Sequence, residues 1–137
     1  MTIAEVAKKH GLSPDTLRYY ERVGLIPNVK RNENGIRNYS EEDNNWVGFI
    51  KCMRSAGVQV EALVEYVALF QQGESTHSDR KQILVEQRNQ LVKRLDEMKS
   101  TLKRLNNKIE NYDQLYQTYY EIRQSGCAIA DIPKGQW

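Results

Sequence analysis

Hydrophobic positions in the first half of the chain form short helical stripes, each closed by a glycine. Thr2 followed by Glu5 fits a capping box, in which hydroxyl and carboxylate satisfy free N–H groups at a helix start. Ile3, Val6 and Ala7 give a first helix one apolar stripe as far as about His10, where Gly11 supplies the left-handed residue that ends it. Leu12 follows as an anchor. Ser13-Pro14 reads as an N-cap with proline at the first helical position, predicting a second helix from Pro14 to about Val23. Gly24 closes that helix and Pro27 prevents its continuation. Two short helices across a tight glycine turn outline a helix-turn-helix.

On the second helix, Asp15, Arg18, Tyr19 and Arg22 share one face, while Leu17 and Tyr20 turn toward the first helix. The polar face is either a solvated surface on which Asp15 pairs with Arg18, or a recognition surface. Next comes the stretch from Asn28 to Tyr39. Its Asn34-Gly35 pair predicts a hairpin of two short strands, because a type I′ turn needs positive φ at both central residues. Lys30, Arg31, Arg37 and Tyr39 then lie on a ribbon too small to own a core. Such a ribbon is either a plain surface hairpin or a DNA-binding wing, neutralising phosphates beside a helix that reads base edges.

Ser40 and Asp43 cap a third helix carrying Trp46, Val47, Phe49, Ile50 and Met53 and stopping near Gly57. A fourth, from about Gln59 to Gln72, has Leu63, Tyr66, Val67 and Phe70 on one stripe and ends at Gly73. Beyond a polar break at residues 74–78 there is no glycine or proline until after Tyr120. There Leu84, Arg88, Leu91, Leu95, Met98, Leu102, Leu105, Ile109, Tyr112, Tyr116 and Tyr119 are spaced alternately by four and three, which is a coiled-coil seam. About 42 residues of helix extend about 63 Å, whereas a domain of about 70 residues has a radius of gyration of only about 11 Å. A stripe so long cannot be covered by its own chain, and a homodimer is the simplest cover. The expected layout is a DNA-binding domain over residues 1–74, a dimerisation helix over 75–121 and a tail over 122–137, in which Ile129, Ile132 and Trp137 either dock on the coiled coil or stay loose.

Composition narrows the function without naming it. The 137 residues are 39% apolar, and exchanging the 8 Tyr for the 8 Gly in the count leaves that figure unchanged, so the core is small for the length. Lys+Arg 20 against Asp+Glu 18 leaves +2, so charge placement, not total, must carry any claim about nucleic acid. Cys52 and Cys127 lie far apart, and the first ten residues lack a signal-peptide core, which reads as a cytoplasmic chain with reduced thiols. Glu61 and Glu65 interrupt the most apolar stretch, so no membrane span is expected. Asn38-Tyr39-Ser40 matches a glycosylation sequon, which such a chain would not use. No Gly-rich phosphate loop, HExxH or nucleophile-base pairing is visible, and His10 and His77 are isolated, so an enzyme is not expected. No cofactor or metal is expected either.

Leu17-Arg18-Tyr19-Tyr20-Glu21 with Gly24-Leu25-Ile26, then Gly35-Ile36-Arg37-Asn38-Tyr39 with Asp43 beyond, resemble the MerR family of bacterial transcription regulators, over almost the full chain. The resemblance implies a largely all-α fold: a winged helix-turn-helix with a small β-hairpin wing, then a long helix pairing antiparallel with its twin. It makes Thr16, Arg18, Tyr19 and Arg22 recognition-helix contacts and gives Arg37 and Tyr39 the wing's contacts with phosphate and groove edge. Arg54 matches the family's second wing. Lys30 is added on charge and location alone. The implied partners are double-stranded promoter DNA with an inverted repeat, a second copy and bacterial RNA polymerase, with the protein nucleoid-associated when bound. The implied mechanism bends and untwists a promoter with an overlong spacer, a deformation of roughly 1–10 kcal/mol. Without the signal, the same complex represses or stays idle.

The chain ends soon after the coiled coil, so a large drug-binding domain is not expected. Cys127 alone near the end of the long helix makes a poor metal site, leaving a metal-responsive regulator as an alternative. Cys52 lies between Lys51 and Arg54, two cations that favour thiolate. Taken alone, it is equally a small inert core residue. A short subgroup of the family that responds to aldehydes, nitrosative stress or other thiol-reactive electrophiles has a matching cysteine, and by that resemblance Cys52 is the sensor thiol. Cys127 either resolves an oxidised Cys52 or is incidental. A constitutive DNA-binding regulator without cysteine sensing is the remaining alternative.

Overall fold

The computed structural model describes residues 1–124. Its helices are α1 (Ile3–His10), α2 (Pro14–Val23), α3 (Glu41–Ser55), α4 (Val60–Gln72), α5 (His77–Glu110) and α6 (Tyr112–Gln124), with a 3-10 turn at Glu74–Thr76. The caps that the sequence announces are made. Thr2 Oγ1 accepts from the Glu5 N–H at 3.2 Å and Ser13 Oγ from the Thr16 N–H at 3.1 Å. Ser40 and Asp43 complete a reciprocal box, with Ser40 N–H donating to Asp43 Oδ2 at 2.8 Å. Gly11 and Gly24, at φ 65° and 87°, end α1 and α2 in the left-handed region.

The chain divides into two units, the first Met1–Leu91 and the second beginning at Val92. The first unit holds the buried core. Val6 and Ala7 of α1 meet Leu17 and Tyr20 of α2, the connector residues Leu25, Ile26 and Val29, Tyr39, and Trp46, Val47 and Ile50 of α3, with Val58 and α4's Leu63 and Val67 closing the cluster. The α4 stripe is only partly used. Tyr66 is half-buried and Phe70 is exposed, stacked edge-on to Trp46 at 5.1 Å and beneath the Arg80 guanidinium at 5.0 Å.

Two expectations are corrected. The β-hairpin wing does not form strands: among the described residues the segment carries only an isolated antiparallel bridge between Arg31 and Arg37. The reason lies in the turn. Gly35 has φ 78° while no non-glycine residue among the described residues has positive φ, so Asn34 does not adopt the conformation a type I′ turn requires. Instead, Asn32 Oδ1 accepts from the N–H groups of Asn34 and Ile36, both at 3.0 Å, and the Asn32 carbonyl accepts from the Gly35 N–H at 2.9 Å. A side chain thus takes up the Ile36 donor that a ladder would have used.

The second correction concerns the long helix, which is interrupted at Asn111. Asn111 Nδ2 donates to the Asn107 carbonyl at 2.9 Å, competing with the Asn111 N–H, which reaches the same oxygen at 3.1 Å. Neither α5 nor α6 has a buried residue. Met98, Leu102, Leu105, Ile109, Tyr112 and Tyr116 all lie exposed along the expected seam. No helix among the described residues is long and apolar enough to cross a membrane.

Candidate nucleic-acid interface

The outward face of α2 is positioned by the burial of Leu17 and Tyr20 on its opposite side. It presents Arg18, Tyr19 and Arg22, all exposed. Arg18 Nη1 donates to Asp15 Oδ1 at 2.8 Å, as helical spacing suggested, yet its side chain remains 48% exposed and keeps further donors for another acceptor. The Arg22 guanidinium sits 5.6 Å from the Tyr19 ring centroid, a cation-π arrangement that holds the charge above the surface. Thr16 is half-buried and its hydroxyl lies 2.9 Å from Ser13 Oγ, within the helix cap.

The turn segment brings its own cations. Lys30 is exposed, with its carbonyl accepting from the Asn38 N–H at 2.8 Å. Arg31 Nη1 donates to the Gly35 carbonyl at 2.8 Å, bracing the turn. Arg37 is half-buried and its Nε donates to Glu21 Oε1 at 2.7 Å. Glu21 Oε2 accepts from the Val29 N–H at 2.9 Å, so one carboxylate links α2 to both legs of the wing segment. Nothing in local spacing marks Glu21, which lies sixteen residues from Arg37. Asn32 was also missed, although an Asn placed two residues before the backbone donor it caps is the signature of an Asx turn.

Tyr39 is placed differently from expectation. It is 2% exposed, and its hydroxyl is buried without a hydrogen-bond partner among the described residues. Burial raises its pKa above the usual 10.0, with Arg37 partly offsetting the effect and Glu21 adding to it. A hydroxyl so enclosed does not reach DNA, and Tyr39 is a core residue. Tyr20 is buried as expected, and burial likewise raises its pKa, opposed by the nearby Arg54 charge.

Arg54 is exposed, and its Nη1 donates to the Val58 carbonyl at 2.6 Å, fastening the turn between α3 and α4. Lys51 Nζ donates to the His10 carbonyl at the end of α1. Both cations flanking Cys52 thus donate hydrogen bonds to backbone oxygens. Cys52 is itself an exposed free thiol and not a core residue. Cys127 and the tail residues Ile129, Ile132 and Trp137 lie outside the described residues. Among those residues, no group of three or more His, Cys, Asp and Glu side chains is placed to hold a metal ion.

A helix-turn-helix whose outward helix face is arginine- and tyrosine-rich, flanked by a basic turn segment, defines a DNA-binding protein. The comparisons agree. The family model described as MerR HTH family regulatory protein matches residues 1–69, and the one described as MerR, DNA binding matches residues 45–108. The HTH-type transcriptional regulator AdhR of Bacillus subtilis (strain 168) is 59% identical over 92 residues, 67% of this chain and 66% of that protein. A crystal structure from Listeria monocytogenes, assigned to the MerR family of transcriptional regulators, superposes with a TM-score of 0.82 at 45% identity, covering 92% of this chain and 96% of the other. HiNmlR, a MerR family regulator lacking the sensor domain and crystallised bound to promoter DNA, gives 0.73 at 28% identity over 92% and 94% of the two chains. The chain belongs to the MerR family of helix-turn-helix regulators, and it is a DNA-binding transcription regulator.

Proposed function

We propose that the chain acts as a homodimer on inverted half-sites in promoter DNA. In this reading α2 enters the major groove with Arg18, Tyr19, Arg22 and Thr16, while Lys30 and Arg37 hold phosphates and Arg54 approaches the backbone from the α3–α4 turn. The observation that carries it is the exposed arginine face of α2 standing beside an Arg37 anchored to the same helix. Arginine suits both targets because its planar donor fork matches guanine edges and phosphate oxygens. Dimerisation is supported by the seam along α5 and α6, which is exposed among the described residues. The functional layout remains residues 1–74 for DNA and 75–121 for dimerisation. The bound dimer distorts the promoter so that RNA polymerase engages both of its elements.

The signal enters through Cys52, which responds to a thiol-reactive electrophile or oxidant. Its exposure supports this, since a reagent reaches it without unfolding. Its neighbours matter as much, because Lys51 ties α3 to the end of α1 and Arg54 ties it to the turn before α4. Bulk added between two such anchors shifts the junction that sets the DNA-binding elements. The test is reconstituted transcription with formaldehyde or diamide. Cys52→Ser is expected to abolish the response while keeping DNA affinity within about twofold of the parent. A retained response in Cys52→Ser removes the thiol from the mechanism and leaves a constitutive regulator.

A further inference from the structure

Glu21 is an odd residue to find beside a surface that meets a polyanion. Its carboxylate is mostly buried, at 12% side-chain exposure, and is held at both oxygens: Oε2 by the Val29 N–H at 2.9 Å and Oε1 by Arg37 Nε at 2.7 Å. Val29 enters the wing segment and Arg37 leaves it, while Glu21 belongs to the last turns of α2. The Val29 contact is to backbone, so the carboxylate is itself a fixed point.

We propose that Glu21 is a positioning residue for DNA recognition: it locks Arg37 through Nε so that the guanidinium's outer nitrogens meet a phosphate in fixed register with the reading face of α2. This rests on Arg37 as a phosphate contact. The geometry suits the division of labour. A guanidinium carries five N–H donors in a rigid fork, and one is spent on Glu21. The Nη groups have no hydrogen-bond partner among the described residues, and the side chain is 24% exposed. An arginine tethered at Nε has already lost the rotamer freedom that a free one gives up on binding. Because the tether starts on α2, the position of the phosphate contact is fixed relative to Arg18, Tyr19 and Arg22.

The sign of one substitution separates this from simple electrostatics. If Glu21 were only a negative charge near DNA, Glu21→Gln would tighten binding. As a positioning residue its loss must weaken binding. The probe is a duplex selected from a random library by the wild-type protein, titrated at fixed salt against wild type, Glu21→Gln, Arg37→Ala and the double variant. The glutamine oxygen can still accept from Val29, and thermal unfolding of each variant checks the fold. Glu21→Gln is expected to weaken binding about tenfold, the low end for one charge-assisted hydrogen bond. In the Arg37→Ala background the same change is expected to have less than about twofold effect, because its route to DNA is gone. A purely structural role for Glu21 would persist in that background. Arg37→Lys gives a second arm that leaves Glu21 untouched: the net charge is kept, but an ammonium lacks the rigid fork that serves carboxylate and phosphate together, so a similar loss is expected. Unchanged or tighter binding by Glu21→Gln, or additive losses in the double variant, overturns the proposal. Weakening by Arg37→Ala alone sinks only Glu21's role, whereas unaffected binding by Arg37→Ala sinks the phosphate contact and the positioning role together.

Discussion

Tyr39→Phe isolates a hydroxyl that the fold leaves unserved. Tyr39 is 2% exposed, and its hydroxyl has no hydrogen-bond partner among the described residues. A buried, unpaired polar group destabilises the folded state by about 1–3 kcal/mol relative to water. Phenylalanine removes that group and keeps the ring, so a gain of about 1 kcal/mol is expected. For a unit of this size that raises Tm by about 4–8 °C. The assay is thermal unfolding of the whole protein at one fixed concentration, since dimerisation makes Tm concentration-dependent.

Alkaline pH gives the same substitution a second readout. Burial raises the folded-state pKa of Tyr39 above the usual 10.0. A raised pKa in the folded state contributes stability that is complete below the unfolded value and lost as pH climbs through the folded one. Wild type should therefore lose stability above about pH 10, and Tyr39→Phe should lose less, widening the gap between them. Tyr20 is raised as well and stays in both proteins, so it does not contribute to the difference. A lower Tm for Tyr39→Phe would show that the hydroxyl has a partner after all. A loss of DNA affinity beyond about fivefold at unchanged Tm would put the hydroxyl on the DNA and refute the core assignment.

Two further outcomes are expected. Leu102 is 56% exposed in the middle of the seam, and Leu102→Glu removes the burial of one leucine per copy, about 1.5–3 kcal/mol each; the dimer constant should weaken by two to four orders of magnitude, and sedimentation equilibrium showing an unchanged dimer would remove the seam from the interface. Arg18→Ala breaks a surface ion pair worth under about 1 kcal/mol but a DNA contact worth about 1–3 kcal/mol, so binding should fall well below wild type at unchanged Tm, and a fall in Tm without a fall in affinity would make Arg18 structural.

The features legible in the sequence are those whose cause is local. Thr2, Ser13 and Ser40 cap helices because their oxygens lie three residues from the N–H they accept, and Gly11 and Gly24 end helices because one residue there must turn left-handed. The reading face of α2 follows from helical spacing and the burial of Leu17 and Tyr20. Failures came where a nearby side chain competes with backbone pairing or where a distant residue decides. Asn32 takes the turn away from the strand pairing that Asn34-Gly35 suggests, and Asn111 adds a side-chain donor to the Asn107 carbonyl inside a pattern with no glycine or proline. Tyr39 looks like a surface residue when read beside Arg37, and only the assembled core shows otherwise. The Glu21–Arg37 pair spans sixteen positions and has no periodicity to reveal it.

The same distinction bears on how a signal is transmitted. Among the described residues, the buried ones lie in the first unit, whereas α5 and α6 bury none. In the proposed dimer, these two helices would gain their buried area from association. The DNA-binding unit is instead braced by polar ties, two of them between residues distant in sequence, Lys51 to His10 and Glu21 to Arg37, and one across a local turn, Arg54 to Val58. Each tie holds a junction between elements rather than the interior of one. Cys52 lies next to one of these anchors in sequence and two residues from another, on an exposed surface. In the proposed sensing role, an adduct there would perturb geometry at little expense in folding, a property that a fully buried thiol would lack.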